Sequence, residues 1–372
     1  MSAEAVNRFT FDVFNQLYLS QNSTGNIAFS GTILYLMMGA ISIGLRGRSY
    51  EKLSKFLHRD VDQFIDNEDW VKSGTAKWWS KLRSKSVIER SSKILIIYPG
   101  QLSAHYKRIS RQIFQLVYTK IDLPNAEEFA NEINVWIDRH VISDHILKVV
   151  KKSMVSENKI LFISAVHFQI EWKTQFFKCL NDPWFYGDNN EVSKAEVICL
   201  ELFVRTYKSP NSDFEIIFQT MDQTDFILVI VMKSYAYSTD EMLNSFKVEQ
   251  LPTYHEQSEQ DFVRMVLPKF NLPASYDFVP ELTKLGLTDI FFRNDTEFGR
   301  MTNHSVIMEN LLQVTSVSVD EFGINTHKTY DELLVQSNVK ELRVDRPFLF
   351  LIYSSNDNLV HFSALVKKPT VN

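Results

Sequence analysis

The sequence predicts an α+β fold in one unit, on three observations. Helical periodicity dominates up to Arg139, strand patterns dominate from Lys159 onward, and the two never settle into regular βαβ alternation. Phe9, Val13, Phe14 and Leu17 fall on one helical face, and Gly31 to Gly44 is apolar enough for a nearly buried helix. The stretch from Asp66 to Arg83, with Trp70, Ala76, Trp78 and Trp79 among lysines, again has a helical pattern. Segments 87–97 and 114–121 read as strands and Glu127 to Arg139 as a helix. Further strands are expected over Ile160 to Trp172, Phe214 to Phe218, Phe226 to Val231, Phe262 to Val266, Val314 to Val319 and Phe348 to Ile352.

The 372 residues contain no Gly/Ser-rich linker, Pro-rich tract or internal repeat, which favours a single domain over 1–372. Apolar residues at 45 % and aromatic residues at 13 % supply an ample core, and 11 glycines argue against disorder. A net charge of −5 with both signs interspersed gives no reason to expect nucleic acid. Apolar runs such as Phe226 to Met232 are far short of a bilayer span, so no membrane partner is expected. The N-terminus lacks a basic region followed by an apolar stretch, and no secretory signal is read there. With only Cys179 and Cys199, both read as plain small hydrophobes, a reducing compartment is expected. The expected address is the cytoplasm, with leaderless release as the alternative. Asn22, Asn294 and Asn303 begin Asn-x-Ser/Thr triplets that would then go unglycosylated.

No G-x-S-x-G, G-x-x-x-x-G-K-[ST] or paired C-x-x-C occurs, so hydrolase, nucleotide and zinc-site readings lose their usual support. No catalytic residue, metal site or cofactor is expected. His140 and His145 flank Asp144, but five residues separate the histidines, unlike a metal pair at i, i+4. Tyr254-His255-Glu256 reads as a solvated loop. Lys72, Lys77, Lys81, Arg83 and Lys85 form a basic run whose simplest reading is a solvated helix face.

Between the strands at Val314 and Phe348 the chain has no usable periodicity, and a connection of that length in a dense chain is usually functional. Asp320-Glu321-Phe322-Gly323 closes the first strand with an acidic turn, and Pro347 opens the second. This constellation resembles the serpin family, whose exposed reactive loop runs between an acidic-Gly hinge and a His-Pro-Phe-like start, here Arg346-Pro347-Phe348. Collinear matches accompany it: Asn7-Arg8-Phe9, Asn26-Ile27-Ala28-Phe29-Ser30, Gly44-Leu45-Arg46-Gly47, Ile133-Asn134-Val135-Trp136, Phe162-Ile163-Ser164-Ala165 with Trp172, Leu267-Pro268-Lys269-Phe270 and Leu285-Gly286-Leu287-Thr288-Asp289. Ser164-Ala165-Val166-His167-Phe168 also resembles the poxvirus members, which would place the protein in a host cytoplasm.

The resemblance implies one α+β domain with a large central sheet, further sheets, about eight or nine helices and a reactive loop from about Gly323 to Arg346. It implies a monomer whose partner is a serine or cysteine protease, held when the cleaved loop inserts into the central sheet as a new strand. Insertion needs a hinge of small residues. Here the hinge is Glu321, Gly323, Ile324, Thr326 and Lys328, and the inward-facing set runs Ile324, Thr326, Lys328, Tyr330, Glu332. Burying an unpaired Lys328 or Glu332 costs several kcal/mol or forces neutralisation, so insertion is expected to be weak or lost. Ser30, Ser164, Gln313 and Trp172 correspond to the region beneath the opening sheet. Gly31 stands where the family usually has proline, and Ser363 where it usually has glycine. Counting from the hinge puts the scissile bond after Ser337 and counting back from Pro347 puts it after Gln336, so Gln336, Ser337 and Asn338 are the candidates. The basic run corresponds to a polyanion-docking helix in some members. The alternatives are a working suicide-substrate inhibitor and a non-inhibitory binder of a protein or polyanion.

Overall fold

The computed structural model describes residues 3–60, 65–85, 92–121, 124–141, 148–179, 184–188, 191–222, 225–291, 297–324, 326 and 339–370. Helix α1 (Glu4–Ser20) buries Phe9, Val13, Phe14 and Leu17, the stripe its periodicity predicts, and α2 (Gly31–Ser42) is buried on every side. The two helices pack so closely that a side-chain carbon at Gly31 would collide with Thr10 of α1. Glycine there makes room for this contact. Helix α3 spans Gly47–Phe56.

The single helix expected from Asp66 to Arg83 is two pieces, a 3₁₀ turn at Glu68–Lys72 and α4 (Gly74–Lys85). Between them Ser73 restarts the chain, its Oγ accepting the Ala76 N–H at 3.1 Å. Helix α5 (Ala104–Phe114) was not anticipated, and it takes Phe114 from the strand expected over 114–121. It stops where Gln115 turns into the left-handed region. Helix α6 (Ala126–Val141) is as expected, and α7 (Thr239–Ser245), α8 (Leu251–Glu256) and α9 (Val279–Lys284) are short. Residues 254–256 are therefore helical rather than loop, with Tyr254 buried.

The strands are β1 (Ile27–Phe29), β2 (Lys93–Tyr98), β3 (Val117–Lys120), β4 (Lys159–Val166), β5 (Ile170–Glu171), β6 (Phe177–Lys178), β7 (Trp184–Tyr186), β8 (Val192–Lys194) and β9 (Val197–Lys208). They continue as β10 (Phe214–Thr220), β11 (Phe226–Lys233), β12 (Glu259–Pro268), β13 (Phe270–Asp277), β14 (Ile307–Val319), β15 (Gly323–Ile324), β16 (Glu341–Arg343), β17 (Phe348–Ser354) and β18 (Leu359–Val366). Among the described residues they form three sheets, which with nine α-helices make one α+β domain. The nine-stranded sheet runs β1-β18-β17-β11-β10-β9-β12-β16 with β6 on β9, and β7-β8 is a separate hairpin.

The seven-stranded sheet runs β3-β2-β4-β14, with β13 on the far edge of β14 and β15-β5 at its end. Period-2 alternation divides its side chains between two layers. Leu95, Ile97, Leu161 and Ile163 pack on Phe129, Ile133 and Ile137 of α6, while Ile94, Ile96 and Phe162 join the main core on the opposite face. Cover on both faces explains why β2 and β4 read as unbroken apolar runs.

The reading of the cysteines is corrected. Cys179 and Cys199 form a disulfide with Cα atoms 5.6 Å apart. The β6–β9 register opposes Phe177 to Cys199 and Lys178 to Ile198, and the Cys179 N–H donates to the Val197 carbonyl at 3.1 Å, which carries the thiols together. A sequence separation of 20 across a strand that covers two residues left no periodicity to reveal the pairing.

Candidate functional site

The sequence places the candidate site where the long connection leaves β14. At the far end of that strand Val319 pairs with Phe270 on one side and with Ile324 on the other. Gly323 and Ile324 in turn pair with Glu171 and Ile170 of β5. The start of the connection thus lies in the lane between β14 and β5, at the end of the sheet. Ile324 and Thr326 are both buried there. Gly323 approaches β5 so closely that a side-chain carbon would collide with the Ile170 carbonyl oxygen.

Asp320 organises the turn. Its Oδ1 accepts the Phe322 N–H at 2.8 Å, the Gly323 N–H at 3.0 Å and the Thr326 hydroxyl at 2.7 Å. An aspartate that captures backbone two and three residues ahead is a turn-forming device, and this acceptor shapes the hinge. Trp172, just past β5, grips the turn: its indole Nε1–H donates to the Asp320 carbonyl at 2.8 Å and its backbone N–H to the Phe322 carbonyl at 3.0 Å. The Phe176 N–H donates to the Glu321 carbonyl at 2.9 Å, and Lys269 reaches the Glu321 carboxylate at 3.2 Å and Glu196 at 3.6 Å. Sequence reasoning singled out Glu321, Gly323, Ile324, Thr326 and Trp172, and the structure gathers them. It missed Asp320 as the acceptor, together with Phe176 and Lys269. The acidic turn and the Leu-Pro-Lys-Phe segment carried those signals. Lys328, Tyr330, Glu332 and the scissile-bond candidates Gln336, Ser337 and Asn338 lie outside the described residues.

Deeper in the same sheet β4 and β14 are paired directly, with Gln313 opposite Ser164 and Thr315 opposite Val166. Gln313 reaches across to the start of α2. Its Oε1 accepts the Ser30 N–H at 2.7 Å, and its amide donates to the Ser30 carbonyl at 3.1 Å. Ser30 caps α2 by accepting from the Ile33 N–H and donates its own hydroxyl to the His361 carbonyl at 2.8 Å. Ser30 and Gln313 therefore form one buried network joining β14, α2 and β18, satisfied in backbone and side chain alike. Ser164 stands at its edge, its hydroxyl 3.5 Å from the Leu312 carbonyl. The Ser363 hydroxyl and both ring nitrogens of His361 are buried and unpartnered among the described residues.

The connection returns beside β12, where β16 runs parallel to it and the Arg264 N–H donates to the Lys340 carbonyl at 3.0 Å.

The basic run over the 3₁₀ turn and α4 is spread over different surroundings. Lys77 and Lys81 are exposed, and Lys72 is exposed but held 2.7 Å from Asp69. Arg83 is buried, donating to the Ser92 carbonyl at 3.0 Å, and Lys85 pairs with Asp357. Trp79 is buried and Trp78 stacks edge-on against it. His140 is tied to its own helix through the Trp136 carbonyl at 2.7 Å, and Asp144 and His145 lie outside the described residues. Among the described residues no cluster of three metal-ligating side chains occurs, and no helix is long and apolar enough to cross a membrane.

The family model for serpins, serine protease inhibitors, matches residues 4–369. The chain is 22 % identical to a leukocyte elastase inhibitor of Xenopus laevis and 23 % identical to human Serpin B4, covering 99 % of both chains in each case. Among solved structures it resembles native protease nexin-1 with heparin, at a TM-score of 0.82 and 18 % identity over 99 % of both chains. It also resembles an insect serpin of Tenebrio molitor, at a TM-score of 0.81 and 19 % identity over 100 % of this chain and 98 % of that one. These relatives are animal proteins and lend nothing to the poxvirus-type expectation. A match over nearly the whole chain, on a fold that hangs a long connection from the end of a sheet at a buried glycine hinge, assigns this protein to the serpin family of serine protease inhibitors.

Proposed function

We propose that this protein is a protease-bait serpin, one domain over 1–372 with a reactive loop from about Gly323 to Arg346, in which trapping by loop insertion is weak or lost. The observation that carries the reading is the burial of Ile324 and Thr326 at the sheet end. They are the first two members of one alternating set, so a loop that follows them inward brings Lys328, Tyr330 and Glu332 to the same face. Two oppositely charged groups four residues apart enter a sheet covered on both sides, and each loses its hydration before any partner is in reach. Insertion must also break the direct β4–β14 ladder.

The second reading is a working suicide-substrate inhibitor of a serine or cysteine protease, and the same hinge favours it. With β15 paired between β14 and β5, the hinge lies in the lane that an inserting strand enters, which supports this reading. A polyanion role rests on less, since Lys77 and Lys81 are the exposed members of the α4 run without an ion pair among the described residues. Residence in the cytoplasm requires the Cys179–Cys199 pair to be held reduced, because thiol pools there oppose disulfides.

Incubation with a panel of serine and cysteine proteases, read on denaturing gels, separates the readings. Cleavage in the loop without a covalent complex is the expected result. A stable complex with any one protease overturns it in favour of the inhibitor and identifies the target.

A further inference from the structure

Away from the reactive loop, the hairpin β7-β8, the turn after β11 and the start of β17 enclose a cleft of about 630 Å³. Its rim is unusually apolar for an exposed surface. Tyr186 is 41 % exposed, Val192 56 % and Tyr235 67 %, and all three line the cleft. The register explains two of them: Tyr186 opposes Val192, so both side chains project from the outer face of the hairpin, while Phe185 projects inward and is buried. Tyr237 adds a third aromatic ring.

Two cations stand among these rings, Lys233 and Arg346, each only 7 % exposed. Arg346 donates through Nε to the Lys233 carbonyl at 2.6 Å and through Nη1 to Asp345 at 2.8 Å, and the Tyr235 ring lies 4.2 Å from its guanidinium carbon. Its Nη2 has no hydrogen-bond partner among the described residues. The Lys233 ammonium has three donors and, among the described residues, gives one hydrogen bond, to the Tyr237 carbonyl at 3.0 Å. Burial pulls its pKa below the ordinary lysine value, with the Asp188 charge opposing that shift.

The carboxylates around the cleft do not supply the missing partners. Asp188 is matched by Lys367 at 2.8 Å and the Thr239 hydroxyl at 2.7 Å, Asp345 by Arg346 and the Tyr235 hydroxyl, and Glu241 by the N-cap Ser238. Glu191 is exposed, where water and salt screen it. What is left is a pair of nearly buried cations with open donors, set among tyrosine rings. We propose that this cleft binds a small aromatic anion, an aryl phosphate or aryl carboxylate, with its charge on Lys233 and Arg346 and its ring among Tyr186, Tyr235 and Tyr237. Neither half suffices alone: the rings hold the body, and the cations select the charge.

Calorimetric titration of the full chain with phenyl phosphate, benzyl alcohol and inorganic phosphate tests the site. Phenyl phosphate is expected to bind at least about tenfold more tightly than either of the others, and to weaken as salt is raised. Lys233 and Arg346 are too buried to replace safely, so the variants are made at exposed rim positions. Val192→Asp adds a like charge beside the ligand and is expected to weaken phenyl phosphate at least about threefold, whereas Glu191→Gln removes one and tightens it about twofold. No saturable binding of phenyl phosphate, equal binding of benzyl alcohol, or an affinity that neither variant changes overturns the proposal.

Discussion

Single buried polar groups carry the departures from the family pattern. Ser363 stands where a glycine is usual, and its hydroxyl is buried without a partner among the described residues. An unmade hydrogen bond of this kind costs about 1–3 kcal/mol. Ser363→Ala is therefore expected to stabilise the protein by about 1 kcal/mol in urea denaturation, and a loss of stability would reveal a partner for the hydroxyl. His361 makes a pH-dependent contribution. Burial, with Lys85 adding to it, drives its pKa from 6.5 to about 3. The unfolded chain therefore takes up this proton at a higher pH than the native one. Above pH 6.5 the group is neutral in both states, and as pH falls from there towards 3 stability is lost. The loss reaches on the order of 3 kcal/mol by pH 4. His361→Leu should flatten that part of the stability–pH curve, and an unchanged slope would assign the acid sensitivity to other groups. The motif positions Asn7, Asn26 and Ser30 were legible only as matches to the family's short motifs, because the bonds they make reach residues hundreds of positions away. Asn7 bridges α1 to β18, for example, donating to the Asn358 carbonyl at 2.7 Å and accepting the Val360 N–H at 2.9 Å.

At the scale of elements, long and regular patterns were the readable ones. The α1 stripe, the apolar α2, the α6 period and the runs of β11 and β17 all fell where expected, because each matches one period over several turns or pleats. Misses came at local helix ends that hydrophobic periodicity does not mark and where tertiary pairing overrides local signals. Helix α5 ends at a left-handed Gln115, the 3₁₀ turn before α4 ends at Ser73, and β9 is recruited by pairing with β12 from Val197 to Thr206. The Cys179–Cys199 link belongs to this level as well. It closes a segment with a sequence separation of 20 that contains the β7-β8 hairpin. In a chain-entropy account, closing a loop of that length contributes about 3 kcal/mol. Reduction should lower stability by about that amount and increase proteolysis between the two cysteines. Equal melting with and without reductant would show that packing alone holds the hairpin.

For the whole molecule the question is whether cleavage releases stored free energy. In the proposed reading, a loop that inserted would add a strand to the seven-stranded sheet and raise the melting temperature sharply. The charges at Lys328 and Glu332 are expected to prevent this, so cleaved wild-type protein should melt close to the intact form. Lys328→Ala with Glu332→Ala should restore a rise of ten degrees or more, on the order of several kcal/mol in a protein of this size. A large rise in the cleaved wild type would show that the charges are accommodated, and no rise in the variant would move the block to the network of Ser30 and Gln313. The sequence by itself determined the α+β class and the family resemblance, because periodicity and collinear motifs survive without coordinates. The tertiary structure alone decided that the hinge lies paired between β14 and β5 under the control of Asp320 and Trp172, that the cysteines meet, and that Lys233 and Arg346 share a cleft. Apart from the short-range Asp320 turn, these depend on contacts between residues distant in the chain, and one-dimensional patterns do not encode such distances.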